Sequence, residues 1–169
     1  MFILENKAMI EKKEFSHIDA GGNPGMVDIS EKSATLRIAT ARGKVRLPAE
    51  VMQALQQQGF ATKKGPVFQT AMIAGIMAAK KTGDLIPLCH PLGLDDVKIE
   101  IEIEGQEVVI TATARINAKT GVEMEAMTAV SVAALTIYDM SKAMSQDVVI
   151  AEILLVEKKG GKHDYRRES

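Results

Sequence analysis

Asp139 and Lys142 sit three residues apart near the end of an apolar stretch, 120–142, whose entry carries two carboxylates, Glu123 and Glu125. On a helix, Glu125, Thr128, Val132, Leu135, Asp139 and Lys142 fall on one stripe, because their spacing alternates three and four residues. A carboxylate one turn from an ammonium group has two readings. Exposed, it is an ion pair worth about 0.3 kcal/mol. In a cleft, low dielectric and the neighbouring charge tune the lysine for proton transfer. Glu123 and Glu125, two apart around Met124, would share a side if the entry to this stretch is extended.

Other residues offer chemistry of their own. Lys63 and Lys64 precede a second apolar stretch, where they either meet an anion at a helix N-terminus or form a solvated loop. His90 is framed by Pro87 and Pro91, so it is either a rigidly presented group titrating near neutrality or a satisfied structural residue. Cys89 is the single cysteine, which excludes an intramolecular disulfide and reads as a small buried hydrophobe. His17, in the glycine-rich stretch 15–30, is expected to be solvated.

Several chemistries are missing from the pattern. No G-x-x-x-x-G-K-[ST] is present to hold a nucleotide, and no G-x-G-x-x-G follows a strand. His17, His90, His163 and Cys89 lack zinc-ligand spacing, and no serine sits in a nucleophile elbow. Glu123, Glu125 and Asp139 could hold a divalent cation, but nearby lysines argue against a tight site.

The elements that would position these groups follow from periodicity. Residues 35–47 read as strand, with Leu36 and Ile38 alternating and Val45 and Leu47 resuming after Arg42-Gly43-Lys44. Pro48 opens a short helix that Gly59 stops, and residues 67–81 form a second helix with Phe68, Met72, Ile76 and Ala79 on its apolar face. Residues 81–92 are expected to be extended and stiff between their prolines. Val97, Ile99, Ile101 and Ile103 alternate with charges, and Ile110, Ala112, Ala114 and Ile116 share a face after the Gly105-Gln106 turn, which makes an antiparallel hairpin. The helix 120–142 and a last strand, 148–156, complete the order.

Strand, helix, helix, strand, strand, helix, strand is an α+β arrangement. With the first two helices in one crossover it is the ferredoxin-like split β-α-β fold, an antiparallel sheet with helices packed on one face. The expected organisation is a leader at 1–14, one domain at 15–157 and a mobile basic tail at 158–169. Because the helix 120–142 is apolar nearly all round, a second subunit is expected to cover part of it.

Bulk properties narrow the partners. The chain has 169 residues, 46% of them hydrophobic, enough for one domain with a real core. Its net charge is -1, and its six aromatic residues include no tryptophan, so nothing favours a nucleic-acid surface. No apolar run reaches the roughly 18 residues of a membrane span, no signal-peptide layout opens the chain, and a cytoplasmic protein is expected.

Four separated motifs carry more information. They are M-V-D-I-S (26–30), D-L-I-P-L-C-H-P (84–91), T-G-V-E-M-E-A (120–126) and A-A-L-T-I-Y-D-M (133–140) with S-K following. Together they closely resemble the cyclic pyranopterin monophosphate synthase family, the C protein of early molybdenum-cofactor biosynthesis, over residues 15–162. The resemblance implies a lyase that rearranges a cyclised dihydroguanosine triphosphate, made from GTP by a radical-SAM partner, into cyclic pyranopterin monophosphate with loss of pyrophosphate. It also implies a homo-hexamer built as a trimer of dimers, with sites at subunit contacts. No further cofactor is implied, and whether Mg2+ accompanies the triphosphate is left open.

Carried over by motif, Asp139 matches the catalytic aspartate, Lys142 the lysine one turn on, and Lys64 the loop lysine, although Pro66 stands where the family commonly has an acidic residue. Leu88, Cys89 and His90, with Glu123, Met124 and Glu125, match segments contacting substrate, while Arg37, Lys158 and Lys162 match basic positions near the triphosphate. A nucleotide-binding regulatory module on the same fold, without chemistry, is the alternative.

Overall fold

The computed structural model describes residues 21–168, so the expected leader at 1–14 and His17 lie outside it. Four long strands, β1 (Thr35–Arg46), β4 (Asp96–Glu104), β5 (Glu107–Ala118) and β6 (Val149–Lys159), build a sheet with the short β7 (Tyr165–Arg166) at its edge. Two-residue strands β2 (Ala61–Thr62) and β3 (Gly65–Pro66) pair separately. The main sheet has the order β4-β5-β1-β6-β7, and every neighbouring pair in it is antiparallel. Each of β5 and β1 is therefore inserted between the two strands of a crossover, which is the expected ferredoxin-like arrangement. Helices α1 (Ala49–Gln57), α2 (Val67–Ala79) and α3 (Thr82–Leu85) lie in the first crossover, and α4 (Glu123–Ser141) forms the second.

Small side chains let α4 lie close to the sheet. Ala39, Ala41 and Val45 of β1 and Val108, Ile110, Ala112 and Ala114 of β5 are buried beneath Ala126, Ala129, Val130, Ala133, Ala134 and Ile137 of α4. Burial of this kind contributes about 25 cal/mol per Å² of apolar surface. The sequence suggested an interruption at Arg42-Gly43-Lys44, but β1 runs through it unbroken. A Cβ at Gly43 would lie 2.5 Å from the Val130 side chain, so glycine there is a packing requirement within the strand. Unbroken alternation also puts Leu36 and Ile38 on the face opposite Val45, and Leu36 is exposed.

Two register shifts interrupt the pairing of β6 with β1, between Thr40 and Ala41 and between Lys44 and Val45. Past the first of them, Leu155 pairs with Ala41, Glu157 with Thr40 and Lys158 with Ala39, leaving Val156 as the extra residue. Lys158 thus shares the helix-covered face with Ala39. The expected strand end at residue 156 falls inside β6, and part of the basic tail returns as β7, with Tyr165 opposite Lys158.

Two further expectations are corrected. The residues of α2 packed most deeply are Val67, Ala71, Gly75, Ala78 and the expected Ala79, whereas Phe68, Met72 and Ile76 are only partly buried. Small residues win that face because α2 packs directly on α4: a Cβ at Gly75 would lie 2.7 Å from the Ala129 carbonyl and 2.5 Å from Ile99 Cδ1. Residues 81–92 are not extended throughout, since Thr82–Leu85 forms a helical turn and the Cys89 N–H closes a turn on the Ile86 carbonyl at 3.0 Å. Among the described residues, no helix is long and apolar enough to cross a membrane.

Gly75→Ala weighs two effects of opposite sign. Helix propensity favours alanine by about 1 kcal/mol, whereas overpacking costs about 1–3 kcal/mol. A backbone carbonyl cannot yield, so urea unfolding of Gly75→Ala is expected to show a net loss of about 1–2 kcal/mol. Gly93→Ala, with no atom within 4 Å, is expected to stay within about 0.5 kcal/mol of the parent.

Candidate active site

The N-terminal turn of α4 forms the shared wall of two adjoining cavities. One, of about 600 Å³, is lined by Leu88, Cys89 and His90 of the turn after α3, by Glu123, Met124 and Glu125, and by Val27 and Ile29 of the loop before β1. The other, of about 480 Å³, is lined by Arg37, Lys119, Lys158 and Lys162 with Glu123. Lys32, Thr120, Gly121 and Glu123 border both. All nine substrate-contacting positions carried over by the resemblance therefore fall on this pair of cavities.

The larger cavity is mostly apolar with a buried acid at its wall. Because α4 begins at Glu123, the two glutamates do not share a side as an extended entry would have placed them; two residues along a helix they diverge. Glu125 is 3% exposed, and burial pushes its carboxyl above the usual range, with the Glu123 charge adding and its own backbone N–H partly offsetting this. Burial, with the Glu125 charge adding, also raises the Cys89 thiol, so it is a poor nucleophile at neutral pH. His90 Nε2 lies 2.9 Å from the Val27 carbonyl, and Lys119 Nζ donates to the Ser30 carbonyl at 2.6 Å. These two contacts hold the loop that carries Val27 and Ile29 over the cavity.

The smaller cavity is strongly cationic. Lys158 Nζ donates to Glu123 Oε1 at 3.0 Å, and Arg37 Nε donates to the Ala118 carbonyl at 3.3 Å. Lys32 and Lys119 belong to it although motif matching had not singled them out. Their signal was positional: Lys32 follows M-V-D-I-S by two residues, and Lys119 directly precedes T-G-V-E-M-E-A.

Asp139, Lys64 and Lys142 form a separate cluster at the other end of α4. Lys64, from the tip of the β2–β3 hairpin, donates to Asp139 Oδ2 at 2.6 Å, and Lys142 lies 2.8 Å from Oδ1. Lys64 also donates to the Asp139 backbone carbonyl at 3.3 Å, in the last turn, where the helix dipole favours cations. The anion that Lys64 meets is thus a carboxylate near the C-terminus of α4. Hydrogen bonds from Lys142 and then Lys64 lower the Asp139 carboxyl to about 2, and Asp139 in turn raises Lys142.

Sixteen residues separate Glu123 from Asp139, so about 24 Å of helix divides this cluster from the two cavities. Within one chain the three catalytic candidates do not meet the nine binding candidates. Among the described residues, no group of three or more His, Cys, Asp or Glu side chains is placed to hold a metal ion.

The depressed Asp139 value implies that its ion pairs are complete above the ordinary carboxylate pKa and are lost only as pH falls toward 2. In a carbon-13 carboxyl titration Asp139 is expected to titrate near 2, and Lys142→Met to move the midpoint up toward the ordinary 3.8. An unchanged midpoint in Lys142→Met would contradict the geometry.

Comparison with known proteins adds identity to this geometry. Residues 26–161 match the model of the MoaC family. A cyclic pyranopterin monophosphate synthase from Novosphingobium aromaticivorans is 53% identical over 149 residues, covering 88% of this chain and 94% of that protein. One from Lysinibacillus sphaericus is 55% identical over 152 residues, with 88% and 94% covered. A family match over residues 26–161, with relatives at this identity and coverage, establishes that the chain belongs to the MoaC family.

Proposed function

We propose that the chain is a cyclic pyranopterin monophosphate synthase, a lyase of molybdenum-cofactor biosynthesis acting in the cytoplasm. The observation that carries this reading is the adjacency of an apolar cavity bearing a buried acid to a cationic cavity, with Thr120, Gly121 and Glu123 between them. A cyclised dihydroguanosine triphosphate, supplied from GTP by a radical-SAM enzyme, has this polarity. Its ring system fits beside Leu88, Cys89, His90, Met124 and Glu125, and its phosphates beside Arg37, Lys158 and Lys162.

The reaction then asks for two kinds of help. Rebuilding the purine-derived ring into a pterin needs positioned proton donors and acceptors. Closing the cyclic phosphate requires a sugar hydroxyl oxygen to bond to the α-phosphorus as the α–β phosphoanhydride bond breaks. Pyrophosphate departs with the electron pair, and cations offset the charge growing on its oxygens. Asp139 raises the Lys142 pKa, so Lys142 is an ammonium at neutral pH and is assigned as proton donor. Lys64, on the other oxygen of the same carboxylate, is assigned as its counterpart.

The 24 Å of helix makes this a composite site, on the reading that the α4 C-terminus of one protomer meets the cavities of another. Exposed apolar side chains on the helical layer, Ile73 and Met77 of α2 and Leu135 of α4, support burial against a second copy. A hexamer arranged as a trimer of dimers, as the family resemblance implies, would contain such contacts.

Asp139→Asn and Lys64→Ala are each expected to lower pyrophosphate release from the cyclised triphosphate by at least about 100-fold, with assembly intact by light scattering. Near-parental rates in folded variants would remove the assignment. A non-catalytic nucleotide-binding module would bind the triphosphate and release no pyrophosphate. Reassembling Lys142→Ala with His90→Ala protomers is expected to restore up to about a quarter of the activity, because mixed contacts regain one intact site. No recovery despite subunit exchange would place each site within one chain.

A further inference from the structure

Glu123 is an anomaly in a cavity meant for phosphates. It is the one carboxylate lining the cationic cavity among the described residues, and it is half-buried there with Lys158. Its Oε1 accepts from Lys158 Nζ at 3.0 Å, so one of the best-placed cations is already neutralised. The other carboxylate oxygen, Oε2, folds back over Gly121, where a Cβ would collide with it. Three features thus converge: a close ion pair, a glycine that leaves room for the carboxylate, and a position on the border of both cavities.

We infer that Glu123 is an internal counter-ion that occupies Lys158 in the empty site, yields it to incoming phosphate, and reclaims it to help expel pyrophosphate. The inference rests on the reading of the cationic cavity as the phosphate subsite. Like charges explain its direction. A phosphate oxygen at Lys158 must displace the carboxylate, and the displaced carboxylate, still close by, repels a multiply charged ligand more than a singly charged one. Entry is therefore opposed, and of the two products pyrophosphate, the more highly charged, is opposed more than the cyclic monophosphate. The missing side chain at Gly121 makes the room that the Glu123 carboxylate occupies. Glu123 is in this sense a positioning residue, acting through Lys158.

The test titrates inorganic pyrophosphate into the full-length chain by calorimetry, for the parent, Glu123→Gln, Lys158→Met and the double variant. Glu123→Gln is expected to tighten pyrophosphate binding about three- to tenfold, since removing the charge frees Lys158. Lys158→Met is expected to weaken it, and in that background Glu123→Gln is expected to change it less than twofold, the signature of coupling. Glu123→Ala supplies the same sign should the glutamine hydrogen-bond to Lys158. If the parent binds pyrophosphate but Glu123→Gln and Glu123→Ala bind it equally or more weakly, the counter-ion role falls and the phosphate subsite stands. Tightening that persists without Lys158 likewise removes the role. If the parent binds no pyrophosphate and Arg37→Ala does not alter binding of GTP, the subsite itself is wrong and the role goes with it.

Discussion

Close contact between α4 and its neighbours is the constraint from which the rest of the molecule follows. Glycine at 43 beneath Val130, glycine at 75 against the Ala129 carbonyl, and alanines along the helix bring backbone near backbone. Interiors packed at crystal-like density do not flex continuously. α4 therefore acts as a rigid spacer, holding carboxylates and cavities at its start and an aspartate with two lysines at its end. The position of one terminus is geometrically tied to that of the other across the length of the helix.

Electrostatics divides labour along that spacer. At the N-terminal end, burial pushes the Glu125 carboxyl above its ordinary range at the wall of the apolar cavity. At the C-terminal end two ammonium groups do the reverse for Asp139, which stays ionised and in turn keeps Lys142 charged. Two acids on one helix are thus driven in opposite directions by their surroundings, one by desolvation and one by cations.

Much of this was legible in the residues. Strict alternation in β4 and β5 gave the hairpin and its buried face, and the order of elements gave the sheet topology. The residues picked out by motif resemblance are gathered by the fold at two cavities and around Asp139. Other features were hidden for physical reasons. Gly43 looks like a break until Val130 is seen above it, because sequence periodicity does not report what packs on a strand. The deep face of α2 was misjudged because large apolar residues suggest burial more strongly than Ala71, Gly75 and Ala78, although only small residues allow helices so near. Glu123 and Glu125 would share a side only in an extended entry, and helix geometry turns them apart. Lys32 and Lys119 flank motifs without belonging to them, and only the folded loop brings them to the cavity.

The irregularity in β6 has a consequence for how this protein can vary. Glu157 and Lys158 alternate in sign, and Val156 is the unpaired residue that decides which of them faces the helices. If the ladder ran on without the bulge, every residue being kept, Val156 would take the place opposite Thr40 and Glu157 the place opposite Ala39. The strand would pair as well as before, yet an acid would point where a base now meets Glu123. Register at this point thus encodes the sign of a charge, and a deletion of Val156 would join Leu155 to Glu157 on their present partners Ala41 and Thr40 and leave Lys158 on the helix-covered face.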